Sequence, residues 1–201
     1  MRLGIFGGTF DPVHYGHLLL AECCREQCRL DQVRFLPAAV PPHKQDRALT
    51  PAPHRIEMLQ LALAGHPQFV IDRFEIDRGG VNYTVDSLRH LRAEQPEAEL
   101  FLLVGADMLV DLPNWHQADQ VCTLATVVAV RRPGVAEPEG LCGAGLVGPE
   151  QHVRFAHLWV AMPVIGISST EIRQRVKAGR SIRYLTPRAV EKYIEAHGLY
   201  R

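Results

Sequence analysis

Short apolar runs alternate along the chain with stretches whose apolar positions recur every three or four residues. Leu3 to Phe6 is the first run, and residues 15–29 are the first helical stretch, with Leu20, Cys24 and Cys28 on one face. Val33 to Leu36 predicts a second strand. Thr50-Pro51 reads as an N-cap with proline at the first helical position. Ile56, Leu59 and Leu63 then mark one apolar face, and Gly65 ends the helix. Phe69 to Ile71 predicts a third strand, and the polar, glycine-bearing residues 72–82 read as a loop or a small edge hairpin. A helix is predicted over 84–94, with Val85, Leu88 and Leu91 inward. The near-continuous run Leu100 to Val104 is the pattern of a central parallel strand covered on both faces. Residues 109–120 mix short helical character with Pro113, Asn114, Trp115 and His116, and Leu124 to Val130 and Phe155 to Val164 predict two further strands. Ser168 and Glu171 have capping-box spacing at the start of a helix that Ile172 and Val176 continue and Gly179 closes. Thr186-Pro187 opens the last helix, with Val190, Tyr193 and Ile194 inward and Gly198 as its stop.

This alternation predicts an α/β fold, a Rossmann-like, doubly wound parallel sheet with helices on both faces. No internal repeat, low-complexity tract or linker interrupts it, so one domain over residues 1–201 is expected. Residues 133–150, rich in Gly, Pro and Glu, read as a surface excursion.

Composition narrows the function classes. Lys plus Arg and Asp plus Glu number 22 each, a formal net charge of zero that asks for neither nucleic acid nor an anionic membrane, although a local basic patch stays open. The strand pattern begins at the first residues, which leaves no room for a signal peptide, and no apolar run approaches a membrane span, so a cytoplasmic protein is expected. A homo-oligomer stays open. Cys23, Cys24, Cys28, Cys122 and Cys142 are odd in number and form no CxxC pair, so disulfides are not expected. Cys24 and Cys28 read as core packing, with a metal pair as the alternative.

The candidate chemistry begins where the first strand ends. Gly7 and Gly8 let the backbone turn tightly beside a ligand, and His14, Gly16 and His17 follow at a helix start. A strand, a glycine turn and a helix start make an anion site, because free backbone N–H groups and the positive end of the helix dipole face the same space. Two imidazoles there suit phosphates undergoing chemistry; a metal pair and a solvated helix end are the alternatives. The proline-bearing loop 37–50 beside the glycine turn, with Pro41, Pro42, His43 and Lys44, reads as a segment covering that site. Gly105 and Asp107 follow a strand's carboxyl end, where ligands bind in open α/β sheets; Asp107 as a helix cap is the alternative. Asp11 and Pro12 read as shaping the turn, and Ser168 fits either a cap or a phosphate contact. No P-loop is present, and no Gly-x-Gly-x-x-Gly follows a strand in the first half of the chain.

The run Gly7-Gly8-Thr9-Phe10-Asp11-Pro12 with His14-x-Gly16-His17 resembles the nucleotidylyltransferase superfamily, and Ile167-Ser168-Ser169-Thr170-Glu171-Ile172-Arg173 resembles its second phosphate motif. Between them, Pro41-Pro42-His43-Lys44, Gly105-Ala106-Asp107 and Leu112-Pro113-Asn114-Trp115 resemble the bacterial nicotinate-nucleotide adenylyltransferases, as does the closing stretch Tyr193 to Tyr200. The resemblance implies transfer of AMP from ATP to nicotinate mononucleotide, with Mg²⁺ accompanying ATP and no dedicated protein metal site. It implies catalytic roles for His14, His17 and Arg173. It places ATP contacts at Gly7, Gly8, Thr9, Phe10, Gly16, Gly105, Asp107, Ile167, Ser168, Ser169 and Thr170, with the helical part from about residue 168 completing the phosphate site. It places acceptor contacts at Lys44, Thr84, Trp115, His116 and Arg132, with Trp115 stacking on the pyridine ring or, on its residue type alone, packing in a loop. Phosphopantetheine adenylyltransferase, a nicotinamide-preferring enzyme and a non-catalytic nucleotide sensor are the competing readings.

Overall fold

A computed structural model describes residues 1–40, 49–131 and 157–201. Six strands, β1 (Arg2–Gly8), β2 (Gln32–Pro37), β3 (Phe69–Ile71), β4 (Glu99–Gly105), β5 (Thr126–Arg131) and β6 (His157–Ala161), form one sheet in the order β3-β2-β1-β4-β5-β6. Every pairing is parallel. The helices are α1 (Tyr15–Gln27), α2 (Ala52–Leu63), α3 (Phe74–Arg78), α4 (Thr84–Glu94), α5 (Ala106–Asp111), α6 (Ala118–Leu124), α7 (Ser169–Lys177) and α8 (Arg188–Ala196), with a 3-10 turn at Leu112–Asn114. This is the doubly wound α/β architecture that the alternating pattern predicts.

Side chains on a strand alternate between faces, so each buried strand feeds two cores. Phe101 and Leu103 of β4, with Val128 and Val130 of β5, join Leu20, Cys24, Met58, Leu59, Ile172, Val190 and Ile194 on the face covered by α1, α2, α7 and α8. Leu100, Leu102 and Val104, with Val127 and Ala129, join Val85, Leu88, Leu91, Leu109 and Val121 on the face covered by α4, α5 and α6. Gly4 of β1 is set by packing: a β-carbon there would lie 2.7 Å from Leu30 Cδ1 and 3.2 Å from Val33 Cγ2. Cys24 and Cys28 are core residues, and burial raises both thiols above their ordinary range.

The sheet order reverses between β1 and β4, the neighbours at its centre. Their carboxyl ends, Gly7-Gly8 and Gly105, therefore flank the crevice where doubly wound sheets bind ligands.

Some predicted boundaries shift for local reasons. Pro51 is itself the N-cap of α2, with extended ψ of 140°, and Pro53 takes the place in the first turn. Residues 72–82 hold α3 in place of a loop or hairpin; Asp72, just ahead of the N-cap Arg73, turns the chain into it by accepting from the Phe74 N–H at 3.0 Å. Leu124 closes α6, so β5 starts at Thr126. The last strand ends at Ala161, short of Val164. Most of the 37–50 loop, with Lys44, and the 133–150 excursion, with Arg132, lie outside the described residues.

Candidate active site

Two helix starts face one cleft. The loop from Thr9 to His14 leaves β1 and ends in α1, whose N-cap is His14. The cleft, about 350 Å³, is lined on its polar side by Thr9, His14, His17, Ser168, Ser169, Thr170 and Arg173. Gly8, Gly16 and Gly105 let the backbone come close, and Leu20, Leu49, Val130, Met162, Ile165 and Ile167 supply its apolar wall.

The spacing of the histidine motif has a steric reason. The His14 and His17 rings stack with centroids 3.7 Å apart, at 21° between planes. A β-carbon on Gly16 would sit 3.0 Å from both Cε1 and Nδ1 of His14, so a side chain there would push that ring out of place. The His14 backbone N–H donates to His17 Nδ1 at 3.3 Å. Accepting at Nδ1 puts the proton of a neutral His17 on Nε2, which makes that nitrogen a donor. An edge contact with Phe10 at 5.1 Å and a tilted one with Phe6 at 6.0 Å hold the His17 ring against rotation.

The second helix start is tied to the first. Ser168 caps α7 by accepting from the Glu171 N–H at 3.1 Å, as the capping-box spacing predicts. Ser169 Oγ donates to the Pro12 carbonyl at 2.9 Å. Arg173 donates to the Asp11 carbonyl through Nη1, and to Thr170 Oγ1 at 3.1 Å through Nη2. Thr186 Oγ1 donates to the Val13 carbonyl at 2.7 Å. Three successive carbonyls of the loop thus accept from the last third of the chain. What α7 turns to the cleft is its first-turn N–H groups together with the Arg173 fork.

Most of the expected phosphate contacts therefore converge in one cleft, and the exceptions have identifiable places. Gly7 is exposed beside the cleft rather than in its lining. The Phe10 ring is fully buried among Phe6 and Phe35 and supports His17, so only the Phe10 backbone, at φ +48°, is on the loop. Asp107 stands in the first turn of α5, directly after β4.

Of the expected acceptor residues, Thr84, Trp115 and His116 are described, and they lie toward the face of the sheet covered by α4. Thr84 begins α4, whose first N–H groups have no carbonyls ahead of them in the helix. Tyr83, just before it, packs on the His116 ring at 4.3 Å. Trp115 is half-buried against the second core, and its Nε1 has no hydrogen-bond partner among the described residues. Asn82 holds the preceding turn by donating from Nδ2 to the carbonyls of Glu75, Gly79 and Gly80 at 3.1–3.3 Å.

Glu75 lies under that turn and accepts from the Ser87 hydroxyl at 2.8 Å. Burial pushes its carboxyl up to about 6, opposed by the Ser87 hydrogen bond and helped by Asp72. The folded protein thus holds this proton more tightly than an unfolded chain at the ordinary 4.5. The ionised carboxylate weakens the fold, an effect absent below pH 4.5 and complete above about pH 6. Glu75→Gln keeps an acceptor for Ser87. We expect it to be more stable than the parent by about 1 kcal/mol at pH 8, the difference vanishing by pH 4.5. Urea denaturation at the two pH values measures it.

The residues that sequence reasoning did not single out lie beneath the loop. Arg55, on α2, is 2% exposed and donates to the Thr50 and Thr9 carbonyls at 2.9 Å each. Tyr200 donates to Asp11 Oδ1 at 2.6 Å.

Comparison with known proteins agrees with this geometry. The cytidylyltransferase-like family matches residues 5–175. A probable nicotinate-nucleotide adenylyltransferase of Thermomicrobium roseum is 48% identical over 200 residues, covering 100% of this chain and 92% of that protein. One of Thermus thermophilus is 48% identical over 201 residues and 100% of both chains. Among solved structures, the Plasmodium falciparum nicotinic acid mononucleotide adenylyltransferase complexed with NaAD superposes with a TM-score of 0.82. It covers 99% of this chain and 97% of that one at 17% identity, a likeness of fold. The chain belongs to the cytidylyltransferase-like family and, within it, to the nicotinate-nucleotide adenylyltransferases.

Proposed function

We propose that this protein transfers the adenylyl group of ATP to nicotinate mononucleotide, forming nicotinate adenine dinucleotide and releasing pyrophosphate, a step of NAD biosynthesis. One observation carries the reading: His14 and His17 at one helix start, and Ser168 to Arg173 at another, line a single cleft at the reversal point of the sheet. The chain's family membership agrees with it.

The reaction joins an acceptor phosphate oxygen to the α-phosphorus of ATP and breaks the bond to the β-phosphate. Charge gathers on the α-phosphoryl oxygens and on the leaving pyrophosphate. Catalysis then needs no covalent nucleophile; it needs positioning and fixed positive dipoles. His17 Nε2–H and the His14 ring donate to these oxygens, Arg173 supplies a cationic fork, and the start of α7 supplies backbone N–H groups. Thr9, Gly16, Ile167, Ser168, Ser169 and Thr170 shape the triphosphate site, with Gly7, Gly8 and the Phe10 backbone at its edge. Gly105 and Asp107 serve the adenylate.

The described lining of the cleft presents imidazole, hydroxyl and guanidinium groups. Magnesium fits as a companion of the triphosphate, held by phosphate oxygens and water. We place the acceptor against Trp115, with its carboxylate toward the N–H groups at the start of α4 and beside His116. Lys44 and Arg132 are proposed as further phosphate contacts. The protein acts as one catalytic domain, in the cytoplasm; no helix among the described residues is long and apolar enough to cross a membrane.

The test is pyrophosphate release with ATP and an acceptor panel of nicotinate mononucleotide, nicotinamide mononucleotide and phosphopantetheine. Nicotinate mononucleotide is expected to be turned over best. Turnover of phosphopantetheine alone, or nucleotide binding without pyrophosphate release, overturns the proposal. In the same assay Trp115→Ala raises the acceptor KM about tenfold, the worth of one lost ring stack, and leaves the ATP KM nearly unchanged.

A further inference from the structure

A buried carboxyl group lies within the loop that carries the histidines. Asp11 is 3% exposed, and both its oxygens are engaged: Oδ1 accepts from Tyr200 at 2.6 Å, and Oδ2 from the Thr50 N–H at 3.3 Å. The Arg55 guanidinium shares this pocket, bonded to the carbonyls of Thr9 and Thr50 and attracted by the Asp11 charge. Polar groups buried in this way are weak evidence for stability, because taking them out of water costs about as much as their interactions return. Their hydrogen bonds do give direction: each fixes the orientation of one backbone or side-chain group.

The groups so fixed belong to the cleft. Thr9 lines it, and Thr50 follows Leu49, which lines it too. Tyr200 comes from the far end of the chain, 189 residues from Asp11. It is half-buried at φ +66°, just beyond the Gly198 stop of α8. Burial and the Asp11 carboxylate both raise its hydroxyl above the ordinary range, so it remains a donor at working pH. None of the three side chains is in the cleft lining. Their effect on chemistry must pass through the loop.

We propose that Tyr200, Asp11 and Arg55 form a positioning set that holds the Thr9–His14 loop, and through it His14 and His17, in the geometry for transfer. The inference rests on the activity proposed above. It assigns these residues to turnover rather than to substrate binding, since the loop's donors matter most where charge develops.

The test uses the full-length protein and the variants Tyr200→Phe, Asp11→Asn and their double, with kcat, both KM values and Tm measured for each. Tyr200→Phe removes one hydroxyl and preserves the ring. It is expected to lower kcat about tenfold, the effect of losing one hydrogen bond to a charge. Both KM values stay within about twofold, and Tm within about 3 °C. Asp11→Asn moves kcat the same way. Because the two side chains share one bond, the double variant is no slower than the slower single. Parental kcat in Tyr200→Phe overturns the inference, as does a loss that merely follows the folded fraction, or single effects that multiply in the double. These outcomes are read on a parent that turns over nicotinate mononucleotide; a parent that does not overturns the activity, and the positioning role with it.

Discussion

His17→Ala lowers kcat by about two to three orders of magnitude, the usual loss for one preorganised donor aimed at developing charge. The KM for ATP changes by less than about threefold. The asymmetry follows from where the ring is held. His17 takes the His14 N–H at Nδ1, stacks on His14 at 3.7 Å, meets Phe10 edge-on and packs against Phe6. It is therefore oriented before any ligand arrives, and Nε2–H costs nothing to align during the reaction. The ground-state triphosphate has other donors, among them the Arg173 guanidinium and the N–H groups at the start of α7. A contact that strengthens only as the α-phosphoryl oxygens gain charge appears in kcat. Steady-state kinetics beside equilibrium binding of ATP separate the two effects. Equal losses in binding and turnover would give His17 a uniform binding role. His17→Gln, with an amide N–H near the position of Nε2, is expected to recover part of the loss.

Much of this was legible in the chain because its signals are local. Continuous apolar runs mark buried parallel strands, and β4 and α4 stand where the pattern puts them. Ser168 and Glu171 mark a helix start through a bond that spans three residues. The pairing of two phosphate motifs was legible only through their resemblance to the nucleotidylyltransferase superfamily; turn and cap chemistry alone marked two helix starts. What escaped is tertiary. On its own helix Arg55 is an ordinary polar residue among apolar ones, and no periodicity says that a guanidinium will be 2% exposed. Asp11 reads as a turn residue because its four-residue context is a turn; its partners are Thr50 and Tyr200, far away in sequence. Phe10 is the converse case: it stands within the loop motif, yet its ring is fully buried in the core. The short helix α3 follows a single local bond from the Phe74 N–H to Asp72, a weak signal inside a polar, glycine-bearing stretch.

Arg173→Lys lowers kcat/KM about a hundredfold although the charge is kept. Arg173 has two tasks in the structure. Its Nη1 and Nη2 hold the Asp11 carbonyl and Thr170 Oγ1, fastening α7 to the histidine loop, and the same guanidinium lies in the cleft lining. A planar fork can serve the loop carbonyl and a phosphate oxygen together, since its five N–H groups point in fixed, separate directions. An ammonium is a single point of charge: turned to the phosphate it releases the loop, and turned to the carbonyl it is lost to the reaction. If charge alone mattered, lysine would act within a few-fold of the parent, and that result would reject the argument. If the fork matters, lysine behaves nearly as poorly as methionine, which fills similar space without charge. The loop side of the argument has its own readout. Ser169 and Thr186 still hold the Pro12 and Val13 carbonyls, so the lysine variant should stay folded, with Tm lowered by no more than about 4 °C. Its loss of activity would then reflect the relative placement of two helix starts, the feature on which transfer in this cleft depends.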